Sequence, residues 1–169
     1  MKKVIIILCA CFFMLQCGYH LRGTGSSLPD YIKKIYVPMF KNRTTRFELD
    51  RKLTQSVIDE LVTRSKMEIT GELESADAVL IGEIIGFQVD PIAVSNQAAA
   101  DRFNVTVTAK IILRDLKKKK VIFSNPYFPY VTDYEVPEGS DFEAVETEAI
   151  DEIAEKFARS LVISILEGF

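Results

Sequence analysis

The sequence has few of the side chains that enzymes use for nucleophilic or metal chemistry. It contains one histidine, His20, and three cysteines, all of which lie at or before residue 17. A serine or cysteine nucleophile needs a neighbouring base, and a zinc site needs several cysteine or histidine ligands. A glycine-rich phosphate-binding loop is also missing. The sequence therefore predicts a protein that is not an enzyme, has no catalytic residues and holds no metal or cofactor.

The sequence also lacks an excess of positive charge. It has 21 basic and 24 acidic side chains, which gives a formal net charge of −3. Removal of Lys2 and Lys3 with a leader would make the balance more acidic still. Because nucleic-acid-binding domains usually carry a basic excess, we expect no nucleic-acid partner.

The longest apolar run is too short to span a membrane. It extends over residues 4–15 and follows the basic pair Lys2 and Lys3. About twelve residues in a helix reach about 18 Å, whereas the hydrocarbon core of a bilayer is about 30 Å thick. A basic start followed by a short apolar run is typical of a secretory signal. Residues 1–16 are therefore predicted to be a signal peptide.

Cys17 is predicted to carry a lipid. Cleavage before it would leave a chain whose single cysteine is its first residue, so no internal disulfide could form. A thioether-linked lipid, with acyl chains such as palmitate, accounts for that cysteine and anchors the chain to a membrane. Two alternatives stay open: an ordinary signal peptide with incidental cysteines, or cleavage within residues 8–11. The second would leave an apolar region of about five residues, which is shorter than usual.

The remaining residues divide into a tether and one domain. Residues 17–30 contain several glycines and serines and are predicted to be a short flexible tether. Residues 31–169 are numerous enough for a single domain with a substantial core.

Hydrophobic periodicity predicts an α+β fold. Leu49, Leu53, Val57 and Leu61 repeat at helical spacing, and so do Val145, Ala149, Ile153, Phe157 and Leu161. Two capping boxes, Thr45 with Glu48 and Ser140 with Glu143, are predicted to start these helices. Between the helices lie several strand-like segments. We expect a two-layer sandwich in which two amphipathic helices pack on one face of a mostly antiparallel sheet.

Three strand patterns define the predicted sheet. Residues 103–113 alternate between apolar and polar side chains, which is typical of a strand with one dry and one wet face. Residues 78–89 are predicted to bury Val79, Ile81, Ile85, Phe87 and Val89. Residues 120–131 are predicted to turn Val121, Phe123, Tyr127 and Val131 to one side. Pro126 and Pro129 indicate that this last strand is an edge strand or is bulged.

Several motifs together resemble the lipopolysaccharide-assembly lipoprotein family, the LptE type. The resemblance includes Cys-Gly-Tyr-His-Leu-Arg-Gly at 17–23, Ile-Tyr-Val-Pro-Met-Phe-Lys-Asn-Arg-Thr-Thr at 35–45, and Leu-Thr-x-x-Val-x-x-Glu-Leu at 53–61. It continues through Ala-Asp-Ala-Val-Leu-Ile-Gly-Glu-Ile at 76–84, the strand around Val105, Tyr134-x-Val136 and the C-terminal helix. The opening heptapeptide is the most specific of these motifs.

The resemblance implies an outer-membrane lipoprotein anchored in the inner leaflet. Its domain would sit inside the lumen of a large β-barrel of the LptD type, help to assemble that barrel, and bind lipopolysaccharide during insertion into the outer leaflet. A different class of function stays open: a periplasmic lipoprotein that scaffolds or activates cell-wall enzymes or another secretion channel.

Two sets of residues are candidate binding sites. Cations that could meet lipopolysaccharide phosphates are Arg102, Lys117, Lys118, Lys119 and Lys120. Lysines at a hairpin tip can equally serve only to keep an edge soluble. Residues 91–101 are predicted to be a long hairpin connection that contacts a partner. The predicted barrel contacts are Pro91, Ile92, Ala93 and Val94 in that connection, with Asn104, Thr106 and Thr108 on the wet face of the next strand. For that face, a plain solvated surface without a partner stays open as the alternative.

Overall fold

A computed structural model describes residues 28–65, 67–94, 100–137, 140 and 142–168. The described chain forms, in order, β1 (Lys34–Tyr36), β2 (Lys41–Asn42), α1 (Leu49–Arg64), β3 (Glu68–Thr70), a 3₁₀ turn (Leu73–Ser75), β4 (Ala78–Val94), β5 (Ala100–Asp115), β6 (Lys120–Glu135) and α2 (Phe142–Glu167). The predicted α+β class is confirmed.

The six strands form one sheet in the order β3-β1-β4-β5-β6, with β2 also paired to β4. The three long strands β4, β5 and β6 are antiparallel neighbours. The short strands β1 and β2 run parallel to β4, and β3 runs parallel to β1. The prediction of a mostly antiparallel sheet is therefore confirmed, because the long pairings dominate.

Both helices pack on one face of this sheet and enclose the core. The α1 stripe of Leu49, Leu53, Val57 and Leu61 is fully buried, as the four-residue spacing predicts. In α2, Phe157 is also fully buried, and its ring meets those of Phe128 and Tyr130 edge to face at centroid distances of 5.6 and 6.4 Å. The inward positions of β5 complete the core: Val105, Val107, Ala109, Ile111 and Leu113.

The capping box predicted before α1 is not formed. Glu48 precedes the helix with a left-handed φ of 61°, and no side chain caps the helix start. The side chain of Asn42 organises this turn instead. Its Oδ1 accepts hydrogen bonds from the backbone N–H of Thr44 at 2.9 Å and from the Thr44 hydroxyl at 2.7 Å. The second predicted box cannot be compared, because the side chain of Glu143 lies outside the described residues; Ser140 donates to the Pro137 carbonyl at 2.5 Å.

A bulge in β4 makes part of the predicted buried face wrong. The pairing register with β5 shifts between Ile84 and Gly86, and such an extra residue moves the following side chains to the opposite face. Before the bulge, Leu80 and Ile84 point inward and are fully buried. Ile81 and Ile85, which were predicted to be buried, are 39% and 41% exposed. Beyond the bulge, the predicted inward positions Phe87 and Val89 do pack against the core.

Strand β6 is both an edge strand and bulged, as its prolines predict. It ends the strand order, and its register with β5 shifts between the partners of Ala109 and Ile111. The shift turns Phe128 and Tyr134 inward, where they are 7% and 9% exposed. Of the four side chains predicted to lie on one side, three are largely exposed, namely Val121, Tyr127 and Val131, whereas Phe123 packs against the core.

The bounds of two predicted segments also differ from those in the structure. The packed domain includes Leu28, which is 8% exposed and belongs to the core, so the predicted tether at 17–30 overlaps the domain. The predicted connection at 91–101 is shorter, because β4 continues to Val94 and β5 begins at Ala100. The signal peptide and Cys17 lie outside the described residues. Neither of the two helices described above is long and apolar enough to cross a membrane.

Candidate functional site

The sheet has an outer face, which is the face opposite the two helices. Residues directly opposite each other on paired strands share a face, so the registers identify its members. On β5, the middle one of the three long strands, the outer positions are Arg102, Asn104, Thr106, Thr108, Lys110, Ile112 and Arg114.

The outer face is divided into two halves of different chemistry. We call the end near the β5–β6 turn the cationic half; its residues include Lys41, Val79, Ile81, Glu83, Ile85, Lys110, Ile112, Arg114, Val121 and Tyr127. The other end is the polar half; its residues are Gln88, Asp90, Asn104, Thr106 and Asp133. Val131 lies at the border, opposite Thr106.

Two of the exposed cations of the cationic half lie on the same strand. Lys110 and Arg114 are four residues apart, which places their Cα atoms about 13 Å apart along the strand. Within the described residues, neither of them forms an ion pair. Glu83, opposite Lys110 in the register, is instead bonded by Arg43 at 2.7 Å. This hydrogen bond, opposed by desolvation and assisted by the charges of Arg43, Lys110 and Lys41, holds the pKa of Glu83 below its usual value.

The four lysines of the β5–β6 turn, here called the lysine turn (Lys117–Lys120), differ in their surroundings. Lys117 Nζ lies 2.6 Å from Asp77 Oδ1, and Lys118 Nζ lies 4.4 Å from the centroid of the Tyr31 ring. Lys119 and Lys120 are exposed and form no ion pair within the part of the chain that the structure describes. Two of the four cations are therefore available to an anion without the loss of an existing contact.

Two buried aspartates support the lysine turn. Asp77, which is 8% exposed, accepts hydrogen bonds from the backbone N–H groups of Lys33 at 2.7 Å and Lys34 at 2.9 Å. Its bond to Lys117, together with those two, lowers the pKa of Asp77 to about 2.

The second aspartate, Asp115, is fully buried and accepts from the Tyr31 hydroxyl and, at 2.8 Å, from the backbone N–H of Lys118. Burial opposes ionisation, but the hydrogen bonds outweigh it and keep the pKa of Asp115 below its usual value. The same contact raises the pKa of Tyr31 to about 12.

Arg102 does not join the lysine turn. It lies at the opposite end of β5, roughly 40 Å from Asp115 at the usual rise per residue. Its Nε lies 3.0 Å from Glu135 Oε1 and 3.6 Å from Asp133 Oδ2. Arg102 and the lysine turn therefore lie at opposite ends of β5, and both are exposed.

The predicted barrel contacts fall into an exposed and a covered group. Pro91 and Ile92 are exposed near the end of β4, and Ile92 is 55% exposed. Ala93 and Val94 continue that strand, and their side chains lie outside the described residues. Asn104 and Thr106 are half-buried on the polar half. Thr108 is only 5% exposed, so it is not available to a partner as predicted; it lies opposite Gly86 beside the β4 bulge.

The sequence interpretation did not predict that Lys110, Arg114, Ile81 and Ile85 lie together on one exposed face of the sheet. A signal for the bulge is nevertheless present, because an isolated glycine within a strand pattern indicates a bulge or a close approach. Both occur. Gly86 follows the register shift, and a Cβ added to Gly82 would lie 2.5 Å from the Phe40 ring.

Metal binding has no support in the described ranges, which contain no cluster of three or more histidine, cysteine, aspartate or glutamate side chains placed to hold an ion.

The family of the chain follows from a comparison with known protein families. The sequence model of LptE, described as lipopolysaccharide-assembly, matches residues 32–165. The chain belongs to the LptE family. Membership implies an outer-membrane lipoprotein of the lipopolysaccharide-assembly type, in a family that is not enzymatic. None of the curated proteins matches the chain.

Solved structures share the LptE-like fold at low sequence identity. Lipoprotein B from Nitrosomonas europaea, described as uncharacterized, is 14% identical, with 89% of this chain and 88% of that chain covered and a TM-score of 0.51. Rare lipoprotein B from Shewanella oneidensis is 12% identical, with 79% and 93% covered and a TM-score of 0.51. A lipoprotein from Caulobacter crescentus is 14% identical, with 78% and 86% covered and a TM-score of 0.52.

Proposed function

We propose that this protein is anchored through Cys17 to the inner leaflet of the outer membrane, where it occupies and helps to assemble a β-barrel translocon of the LptD type. In this role it binds lipopolysaccharide while that lipid is inserted into the outer leaflet. The observation that carries the proposal is the match to the lipopolysaccharide-assembly family over residues 32–165, which spans almost the whole described domain.

The polar half of the outer face supports a position inside a barrel. The lumen of a large membrane barrel is polar and hydrated, so a domain inside it needs a hydrophilic wall. Gln88, Asp90, Asn104 and Thr106 lie on adjacent strands and supply uncharged and acidic polar groups. Pro91 and Ile92 follow Asp90 on β4 toward the β4–β5 connection and are exposed there.

The lysine turn supports attraction of lipopolysaccharide. Ammonium groups act as point charges toward phosphates, and Lys119 and Lys120 are exposed without an ion pair in the described residues. Lys117 and Lys118 are held by Asp77 and Tyr31 and give the turn a fixed shape. Such a cluster at the end of a hairpin accelerates association with a polyanion more than it prolongs the bound state.

Purification in mild detergent tests the proposal as a whole. The tagged full-length protein, isolated from its own outer membrane, is expected to carry one large β-barrel at close to equal stoichiometry, identified by mass spectrometry. Recovery of cell-wall enzymes, or of no protein near equal stoichiometry, would contradict the barrel proposal and favour the scaffold alternative.

A double substitution tests the lysine turn. In a Lys119→Gln, Lys120→Gln variant, we expect association with lipopolysaccharide to slow by about three- to tenfold at low ionic strength and the difference to shrink at high salt, because exposed charges are screened. Surface binding kinetics at two salt concentrations measure this. The control is Lys156→Gln with Arg159→Gln, which removes the same charge from exposed positions on α2. Equal association rates for wild type and the turn variant at low salt would remove this site.

A further inference from the structure

We propose that the cationic half of the outer face is the binding site for the phosphorylated, acylated part of the lipopolysaccharide. Two phosphates are bound by Lys110 and Arg114, and acyl chains lie on the apolar side chains beside them. The inference rests on the proposed function and adds the site at which the lipid is held once the lysine turn has attracted it.

The spacing of the cations is the first argument. Lys110 and Arg114 point to the same side of β5 with Ile112 between them, and the strand holds their Cα atoms about 13 Å apart. Neither forms an ion pair within the described residues, and the carboxylate nearest in register, Glu83, is engaged by Arg43. Two separated cations on a rigid strand suit an anion with two separated phosphates better than a single phosphate.

The apolar side chains beside the cations are the second argument. On the β4 side, Ile81 and Ile85 are 39% and 41% exposed; on the β6 side, Val121, Tyr127 and Val131 are 49%, 64% and 56% exposed. Single exposed apolar residues are ordinary, but a set grouped on one face indicates a binding surface. Ile81 lies opposite Ile112, between the two cations, and Val121 lies opposite Arg114, so a ligand that reaches the cations also meets these side chains. Val131 lies farther along β6, opposite Thr106.

The combination of positive charge and exposed apolar surface indicates which kind of ligand binds to the cationic half. A polar barrel wall would leave the isoleucines and Tyr127 without apolar contact. A second copy of this face, packed by two-fold symmetry, would bring Lys110 and Arg114 against the same cations. A diphosphorylated sugar with several acyl chains complements both the charges and the apolar rows. That is the chemistry of the membrane-embedded part of lipopolysaccharide.

Binding kinetics of the full-length lipidated protein, captured in mild detergent, test the site with three probes: diphosphoryl lipid A, monophosphoryl lipid A and deacylated lipopolysaccharide. In an Ile81→Asn, Tyr127→Ser variant, we expect lipid A to bind about tenfold more weakly, mainly through faster dissociation. Deacylated lipopolysaccharide should bind as it does to wild type. In a Lys110→Gln, Arg114→Gln variant, all three probes should bind more weakly, because each carries phosphate, and the preference for diphosphoryl over monophosphoryl lipid A is lost.

Control variants separate this site from a general loss of structure. Val62→Asn with Leu73→Ser changes side chains that are 55% and 45% exposed elsewhere on the surface, and it should bind lipid A like wild type. Val131→Asn, at the border of the site, provides a second apolar variant in case the first fails to fold. If the folded apolar variants bind lipid A with wild-type dissociation rates, the inference is overturned while the proposed function stands. If wild type binds no lipid A, the lipopolysaccharide part of the proposed function itself fails.

Discussion

Replacing Gly82 with alanine is expected to lower the free energy of unfolding by about 2–3 kcal/mol, because the added methyl group collides with a packed ring. A Cβ at this position would lie 2.5 Å from the Phe40 ring, and Phe40 is 2% exposed. The ring cannot move aside easily, since it is enclosed by the core and its backbone N–H is fixed to the Thr54 hydroxyl at 2.9 Å. Denaturant unfolding followed by circular dichroism measures the loss.

A double-mutant cycle identifies the cause of that loss. Phe40→Leu alone removes ring volume and should cost roughly 1–2 kcal/mol. Combined with Gly82→Ala, its cost should be smaller than the sum of the two, since the smaller side chain leaves room for the methyl group. Gly71→Ala is the matched control, because no atom lies within 4 Å of the added Cβ, and it should change stability little. Strict additivity of the first two substitutions would contradict the proposed collision.

The contact of Gly82 with Phe40 also bears on function. It fixes Gly82 on the inner face together with Leu80 and Ile84, and the bulge that follows returns Phe87 to the same face. As a consequence, Ile81 and Ile85 remain on the exposed side. A Gly82 variant that still folds is therefore expected to alter lipid A binding through the position of β4, without any change of charge.

The helices and β5 could be predicted from the sequence because each buries a single face, and that face sets the spacing of its apolar residues. In α1, the spacing of Leu49, Leu53, Val57 and Leu61 matches a single buried stripe. In β5, strict alternation from Val105 to Leu113 identifies the inner face. In both elements a single register satisfies the core, so local periodicity is sufficient.

The faces of β4 and β6 could not be predicted by counting alternate residues. Each strand contains a bulge, and one extra residue reverses the face for everything that follows. Gly82, Gly86 and Pro126 indicate irregularity, but the position of each shift depends on tertiary contacts such as that of Phe40. The cationic half was missed for this reason.

Replacing Asp77 with alanine is expected to lower the free energy of unfolding by about 2–4 kcal/mol, because three donors lose one buried acceptor. The carboxylate accepts from the backbone N–H groups of Lys33 and Lys34 and from Lys117. It thereby joins the segment before β1 to the lysine turn. Urea unfolding at neutral pH measures the loss, and Asp90→Asn, at an exposed position of the outer face, should change stability by only a few tenths of a kcal/mol.

The pH dependence of this contact has a defined sign. The pKa of Asp77 falls to about 2 in the folded protein, from an ordinary value of 3.8, because of its bonds to Lys117, Lys33 and Lys34. A depressed pKa means that the folded state holds the charged form more strongly, so the stabilisation is present above about pH 4 and is lost as the pH falls toward 2. Allowing for screening by solvent, the amount is about 2 kcal/mol.

Comparison of wild type with Asp77→Asn isolates this contribution. The amide keeps an acceptor oxygen for a backbone N–H group but cannot pair with the charge of Lys117, so the variant should be less stable at pH 7. The difference between the two proteins should shrink between pH 4 and pH 2 as the wild-type carboxylate becomes protonated. A difference that stays constant over this range would show that packing, not charge, holds the lysine turn. In that case Lys117 should contribute to lipopolysaccharide association as much as Lys119 and Lys120, because its charge would be equally available to phosphate.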